Sequence, residues 1–149
     1  MRFSTSNSDE KIAYALLRAV AGTNLLMHGV SRLLAGSESF AAHLTEQFSQ
    51  SPLPAPLVRL FGSVLPPIEG LIGLLLLIGL TTRWALIAAS LLMLVLTFGS
   101  ALAQNWTAAG TQLMYALVFS VLLFLRKYNS WSVDGCWNKE QEDRIQRGS

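Results

Sequence analysis

The chain alternates between long apolar runs and short polar breaks. Four apolar segments are evident, at about residues 11–34, 56–80, 84–104 and 108–126. Residues 84–103 continue for 20 positions, and residues 108–125 for 18, without a charged side chain. Because a helix of about 20 apolar residues spans the hydrocarbon core of a bilayer, this pattern predicts membrane-spanning α-helices.

The breaks between the segments predict how the helices are arranged. Only a few residues separate the last three segments, so consecutive helices should be antiparallel neighbours. Pro66 and Pro67 lack backbone N–H donors and predict a kink in the second helix. The longer first loop contains the amphipathic stretch "SFAAHLTEQFSQ", which predicts a short interfacial helix. The fold class is therefore all-α, an integral membrane bundle of four antiparallel transmembrane helices.

Composition and charge agree with this class. The chain is 52% hydrophobic and 13% charged, whereas soluble domains carry about 25% charged residues. A net charge of +2 without a basic cluster argues against a nucleic-acid partner. The lysines and arginines flanking the segments predict that both termini are cytoplasmic. We expect one membrane domain over residues 1–149, ending in a charged cytoplasmic tail at 127–149.

One carboxylate, Glu69, lies in the apolar second segment. An isolated charge at this depth costs at least about 2.5–3.5 kcal/mol, so a partner is expected. On the first helix, six residues form one stripe within about 80° of arc: Tyr14, Arg18, Ala21, Leu25, His28 and Arg32. We predict that Glu69 pairs with Arg18, with His28 as a second neighbour. These residues could line a polar pocket for a ligand, or they could form a purely structural ion pair that holds two helices together. The sequence favours neither alternative.

Further polar and small residues extend this candidate site. Gln112 lies deep in the fourth segment and shares a face with Tyr115. Gly70 and Gly73 follow the glutamate and should let the first helix approach closely. The predicted ligand-binding set is Arg18, His28, Arg32, Glu69, Gln112 and Tyr115, and the catalytic candidates are Glu69 and His28. One cysteine, Cys136, and one histidine within the apolar segments predict neither a metal site nor a haem.

Three stretches give the chain a resemblance to a known family. "LLRAVAGTNLLMHGVSRLL" has an arginine followed ten residues later by His-Gly, and "PIEGLIGLLLLIGLTTRWA" has a glutamate, small residues and a Gly-Leu-x-Thr-Arg ending that includes Arg83. "YNSWSVDG" follows the last helix and includes Asp134. We expect Arg83 to anchor the turn after the second helix, and Asp134 is a candidate structural residue. In this order on four helices, the motifs resemble the DoxX family of small membrane proteins, which includes the membrane subunit of thiosulfate:quinone oxidoreductase.

The resemblance implies a role in redox metabolism and a location in a bacterial inner (cytoplasmic) membrane. The leading interpretation is a membrane subunit of a redox complex, with a quinone or lipid-like ligand in the polar core and other membrane or periplasmic subunits as partners. If the chain is itself an enzyme, it would be a quinone-linked oxidoreductase subunit. Two alternatives remain open, a structural or assembly subunit without a ligand and a small proton-coupled transporter that uses Glu69.

Overall fold

The computed structural model describes residues 6–137, which form helices and connecting turns without a β-strand in that range. The helices are α1 (Ser6–Leu34), α2 (Ser37–Gln47), α3 (Ala55–Ile78), α4 (Thr82–Leu102) and α5 (Trp106–Phe124), followed by a 3-10 turn at Arg126–Tyr128. Helices α3 to α5 begin and end within two residues of the predicted bounds, and α1 begins five residues earlier than predicted. Most of the predicted charged tail, residues 138–149, lies outside the described residues.

Three helices, α3, α4 and α5, are long and apolar enough to cross a membrane. Their outward faces carry large exposed apolar side chains, such as Leu94 and Phe98 on α4 and Phe124 on α5. Apolar side chains exposed in this way suit contact with lipid, so the protein is a multi-pass membrane protein. Helix α1 is not among the candidate spans of the described residues, and a bundle of four spans is therefore not confirmed by helix length and composition.

Helix α1 packs along α3, α4 packs along α5, and α2 lies against α3. The core joins Tyr14 and Leu25 of α1 to side chains from the three apolar helices, and Leu76 and Phe119 are almost fully buried there. The short helix predicted in the first loop is α2, and its Ala41 is completely buried against α3. A role of α2 at the membrane surface stays a prediction.

Glycines bring α1 and α3 into backbone contact. A Cβ atom added to Gly29 would lie 2.6 Å from the Cα of Gly70, and one added to Gly22 would lie 2.7 Å from the backbone nitrogen of Leu77. Gly73 of α3 lies in the same way against the backbone of Leu26. Because any side chain at these positions would force the helices apart, the glycines fix the antiparallel register of α1 on α3.

Helix α3 runs without interruption through both prolines, and the predicted kink near Pro66 and Pro67 stays a prediction. The helix ends at Gly79, whose φ of 70° is the left-handed conformation that glycine adopts most readily. There the backbone N–H of Leu80 donates to the carbonyl of Leu75 (3.0 Å), which closes the helix end. This turn places the start of α4 beside the residues that follow α5.

Candidate functional site

The buried carboxylate of Glu69 forms an ion pair with Arg32 of α1. Glu69 is 3% exposed, and its Oε2 accepts a hydrogen bond from Arg32 Nη1. The guanidinium carbon of Arg32 also lies 4.5 Å from the centre of the Phe40 ring of α2, in a cation–π contact. One arginine therefore connects the first three helices.

The predicted pair of Glu69 with Arg18 is wrong, because Arg18 lies about four turns before Arg32 on α1, level with the segment after α5. Its guanidinium donates to Asn129 Oδ1 (3.2 Å) and to the carbonyl oxygen of Trp131 (2.8 Å), both in the segment after α5. Arg18 and Arg32 share one stripe of α1, but 14 residues of helix separate them by about 21 Å. Since the register places Glu69 near the C-terminal end of α1, only Arg32 reaches it.

A cavity of about 230 Å³ opens beside the ion pair, between α1, α3, α4 and α5. His28, which is exposed, and the ion pair form one wall, and Gln112 and Tyr115 of α5 form the other. Five of the six predicted ligand-binding residues therefore line one cavity, and Arg18 does not. The full lining is Asn24, Leu25, His28, Arg32, Glu69, Met93, Leu96, Ala108, Thr111, Gln112, Tyr115 and Phe119.

Gln112 is the one residue of this lining with an unsatisfied buried polar atom in the described part of the chain. Its Nε2 donates to Ser100 Oγ (2.9 Å), which fixes the orientation of the amide, and its Oε1 is buried without a hydrogen-bond partner. A buried carbonyl oxygen without a donor costs free energy, so it commonly indicates a missing water or ligand. Tyr115 lies one turn further along α5, with its ring 6.5 Å from that of Phe119.

A second polar cluster, formed by Arg18, Thr82, Asn129 and Asp134, joins the segment after α5 to the turn between α3 and α4. Asp134 accepts hydrogen bonds from the backbone N–H groups of Thr81 (2.8 Å) and Thr82 (2.7 Å), and it thereby caps the start of α4. Asn129 donates from Nδ2 to Thr82 Oγ1 (3.0 Å). These contacts hold three chain segments together, so the cluster is structural, and one of its donors, Arg18 Nε, is buried without a hydrogen-bond partner.

Sequence reasoning singled out Asp134 but missed its partners. The contacts from Arg18 to Asn129 and from Asp134 to Thr81 join residues more than 50 positions apart, and no local sequence pattern predicts them. Arg83 was expected to anchor the turn after α3; it is exposed, and its guanidinium lies 5.5 Å from the ring of Trp84. Within the described residues, no group of three or more histidine, cysteine or carboxylate side chains could hold a metal ion, and Cys136 is an exposed thiol.

Comparison with known proteins corrects the family. The sequence model of the family described as methylamine utilisation protein MauE matches residues 10–114, from the first turns of α1 to the middle of α5. No curated protein and no solved structure matches the chain. The resemblance to DoxX is therefore wrong. In the structure its motifs correspond to the stripe on α1, the buried glutamate of α3 and the capped turn before α4. The chain belongs to the MauE family.

Proposed function

We propose that this member of the MauE family is an accessory membrane protein of a redox system, of the kind that the family's description as a methylamine utilisation protein indicates. We further propose that its cavity binds the ring of a quinone. The observation that carries the proposal is the cavity itself, with the Arg32–Glu69 pair on one wall and the unsatisfied Oε1 of Gln112 on the other.

The size of the cavity suits one substituted six-membered ring. An apolar cavity of about 150 Å³ engineered into another protein binds benzene, and the cavity here measures about 230 Å³. Leu25, Met93 and Phe119 supply apolar surface for the faces of a ring. Ligand sites typically combine such apolar walls with a few polar groups that fix orientation.

The polar groups match the two redox states of a quinone. The carbonyl oxygens of the oxidised ring accept hydrogen bonds, and the Arg32 guanidinium and the Tyr115 hydroxyl are donors in the lining. The hydroxyl groups of the reduced ring donate, and the free Oε1 of Gln112 is an acceptor. Reduction takes up two electrons and two protons; a partner redox protein would supply the electrons, and Glu69 is the carboxylate that can pass protons to the ring oxygens.

We propose that α1 is the fourth membrane span. Its outward-facing side chains Leu16, Val20 and Met27 are more than half exposed and apolar, whereas Tyr14, Arg18, Ala21 and Leu25 of the stripe are buried in the bundle. Polar residues on the inner face lower the hydropathy of a helix without exposing charge to lipid. Arg18 contacts the segment after α5, so the N-terminal half of α1 and the described end of the chain lie at the same end of the bundle. Four spans with both termini in the cytoplasm fit this arrangement.

The proposal is tested by extracting quinone from the protein purified in mild detergent from its native membrane. The wild type should carry quinone, and Arg32→Gln and Glu69→Gln should each lower the bound amount at least about tenfold, which is 1.4 kcal/mol. Arg59→Gln is the matched control, because Arg59 forms an exposed ion pair with Glu38 that does not line the cavity. Far-UV circular dichroism checks that each variant folds.

Three outcomes contradict the proposal. Wild-type protein that carries no quinone but co-purifies in fixed proportion with a larger complex would indicate a structural or assembly subunit. Proton-driven uptake of a solute into liposomes, abolished by Glu69→Gln, would indicate a transporter. Equal loss of quinone in Arg59→Gln and Arg32→Gln would show that the bound quinone does not occupy this cavity.

A further inference from the structure

Two more cavities continue from the one that holds the ion pair. The second, of about 190 Å³, lies beneath α2 and shares Arg32, Leu96, Ala108 and Gln112 with the first. Four shared lining residues from three helices mean that the two cavities adjoin along a common boundary. A group bound beside Glu69 therefore has unfilled space leading away from it under α2.

The third cavity, of about 230 Å³, shares five lining residues with the second and is lined by apolar residues throughout. It lies between α2, the proline-containing connection to α3, the first turns of α3, and α4. The lining is Leu44, Phe48, Leu53, Leu57, Val58, Phe61, Val95, Phe98 and Gly99. Polarity thus falls along the path, from a buried ion pair at one end to a wholly apolar groove at the other.

Close packing of α2 on α3 covers this path. Ala41 is completely buried, and a Cβ atom added to Gly62 of α3 would lie 2.9 Å from the Cα of Ala41. At the far end, a Cβ atom added to Gly99 would lie 3.4 Å from the ring of Phe48, and both residues line the second and third cavities. Gly99 and the Phe48 ring therefore pack together where the two cavities meet, and a large side chain at position 99 would fill space there.

We propose that the second and third cavities form a channel for the apolar tail of the ligand whose ring occupies the first. The inference rests on the proposed function, and it specifies the ligand class as a membrane quinone with an isoprenoid or alkyl chain, in contrast to a ring without a tail. The arrangement argues for this occupant, because the apolar groove adjoins the second cavity and the second adjoins the polar one through shared lining residues. A ligand that fills all three must combine a polar head group with an apolar chain, and the ring proposed for the first cavity makes that ligand a quinone with a tail.

The test compares two quinones that share one head group, 2,3-dimethoxy-5-methyl-1,4-benzoquinone and the same ring with a decyl chain. Both are titrated into purified full-length protein in one detergent, and the ratio of their dissociation constants is measured. The wild type should bind the decyl quinone at least about tenfold more tightly. Gly99→Leu fills space where the second and third cavities meet, so it should remove this preference and leave binding of the short quinone unchanged.

Gly110→Leu is the matched control, because a Cβ atom at Gly110 would meet no other atom within 4 Å. It should keep the preference for the decyl quinone. Val95→Phe is a second blocking variant, because Val95 lines the same two cavities. It replaces Gly99→Leu in the test if that variant does not fold. Glu69→Gln reports on the head-group site and should weaken both quinones equally.

The outcomes separate the two proposals. If Glu69→Gln weakens both quinones but the blocking variants leave the preference intact, the tail channel is wrong and the head-group site stands. If the wild type binds neither quinone, both proposals are wrong. If the wild type shows no preference for the decyl chain, and the blocking variants release phospholipid that co-purifies with it, the groove belongs to a membrane lipid and the channel assignment is overturned.

Discussion

Substitution of either partner of the Arg32–Glu69 pair should destabilise the fold. The changes are Arg32→Gln, Glu69→Gln and the two together. The side chain of Glu69 is 4% exposed and that of Arg32 is 27% exposed, so either single change leaves a largely buried charge without its partner. Removing both partners leaves no unpaired charge, and the double variant should lose less stability than the two single losses added together.

The size of the effect follows from burial. Removing one partner of a fully buried ion pair costs about 3–5 kcal/mol, and exposed pairs contribute about 0–1 kcal/mol. Arg32 is a quarter exposed and keeps its contact with Phe40 when Glu69 changes. We therefore expect each single variant to lose about 2–3 kcal/mol and the coupling between them to be about 2 kcal/mol.

Two other residue pairs of the chain serve as controls in the same kind of double-mutant cycle. Arg59 and Glu38 form a second ion pair whose side chains are 62% and 67% exposed, so their coupling should stay below about 1 kcal/mol. Arg18 and Glu69 were expected to pair from the sequence but contact different parts of the chain, so their free-energy changes should add within about 0.3–0.5 kcal/mol. The three cycles together distinguish a buried pair, an exposed pair and no pair.

The assay is reversible unfolding by sodium dodecyl sulfate in mixed micelles, followed by far-UV circular dichroism and tryptophan fluorescence. A coupling of about 2 kcal/mol is well above the error of such a cycle, which is a few tenths of a kcal/mol. Additive losses for Arg32 and Glu69 would refute the pairing. A coupling of Glu69 with Arg18 as large as that with Arg32 would refute the register of α1 on α3.

The same unfolding assay tests two structural contacts. Gly29→Ala should lose about 2–3 kcal/mol, because its Cβ atom would lie 2.6 Å from the Pro66 carbonyl oxygen; Gly110→Ala should gain up to about 1 kcal/mol, and equal effects would contradict the close helix contact. Asp134→Ala should lose about 1–2 kcal/mol by uncapping α4, and Asp134→Asn should retain most of that stability. An alanine variant as stable as the wild type would contradict the cap.

The helices were predictable because hydropathy is a local property. The charge-free runs at 84–103 and 108–125 lie within α4 and α5 and their flanks, and a bilayer requires runs of this length. The amphipathic spacing around Ala41 likewise predicted α2. Its role was not predictable, because the contact of Phe40 with Arg32 depends on how α2 folds back against α3.

The contacts around Asp134, in contrast to the helices, were not predictable from the sequence. The acceptor for the start of α4 comes from a residue more than 50 positions further along the chain, and Thr81 has a φ of 48° that local preference disfavours. Neither the cap nor the contact of Arg18 with Asn129 follows from composition or periodicity. Such contacts depend on tertiary structure, so sequence reasoning identified Asp134 as a structural residue without its partners.

The contacts made by the glycines of α1 and α3 explain why Glu69 pairs with Arg32. Gly22 lies against Leu77, Leu26 against Gly73 and Gly29 against Gly70, so residues of α1 and α3 that face each other have numbers that add to 99. This register places Glu69 opposite residue 30, within a turn of both His28 and Arg32, and it places Arg18 opposite residue 81. The predicted partner, Arg18, lies 12 residues before position 30 and therefore more than three helical turns from Glu69. Backbone contact at small residues fixes the register of two helices. Such residues therefore indicate the partner of a buried charge more precisely than hydropathy does.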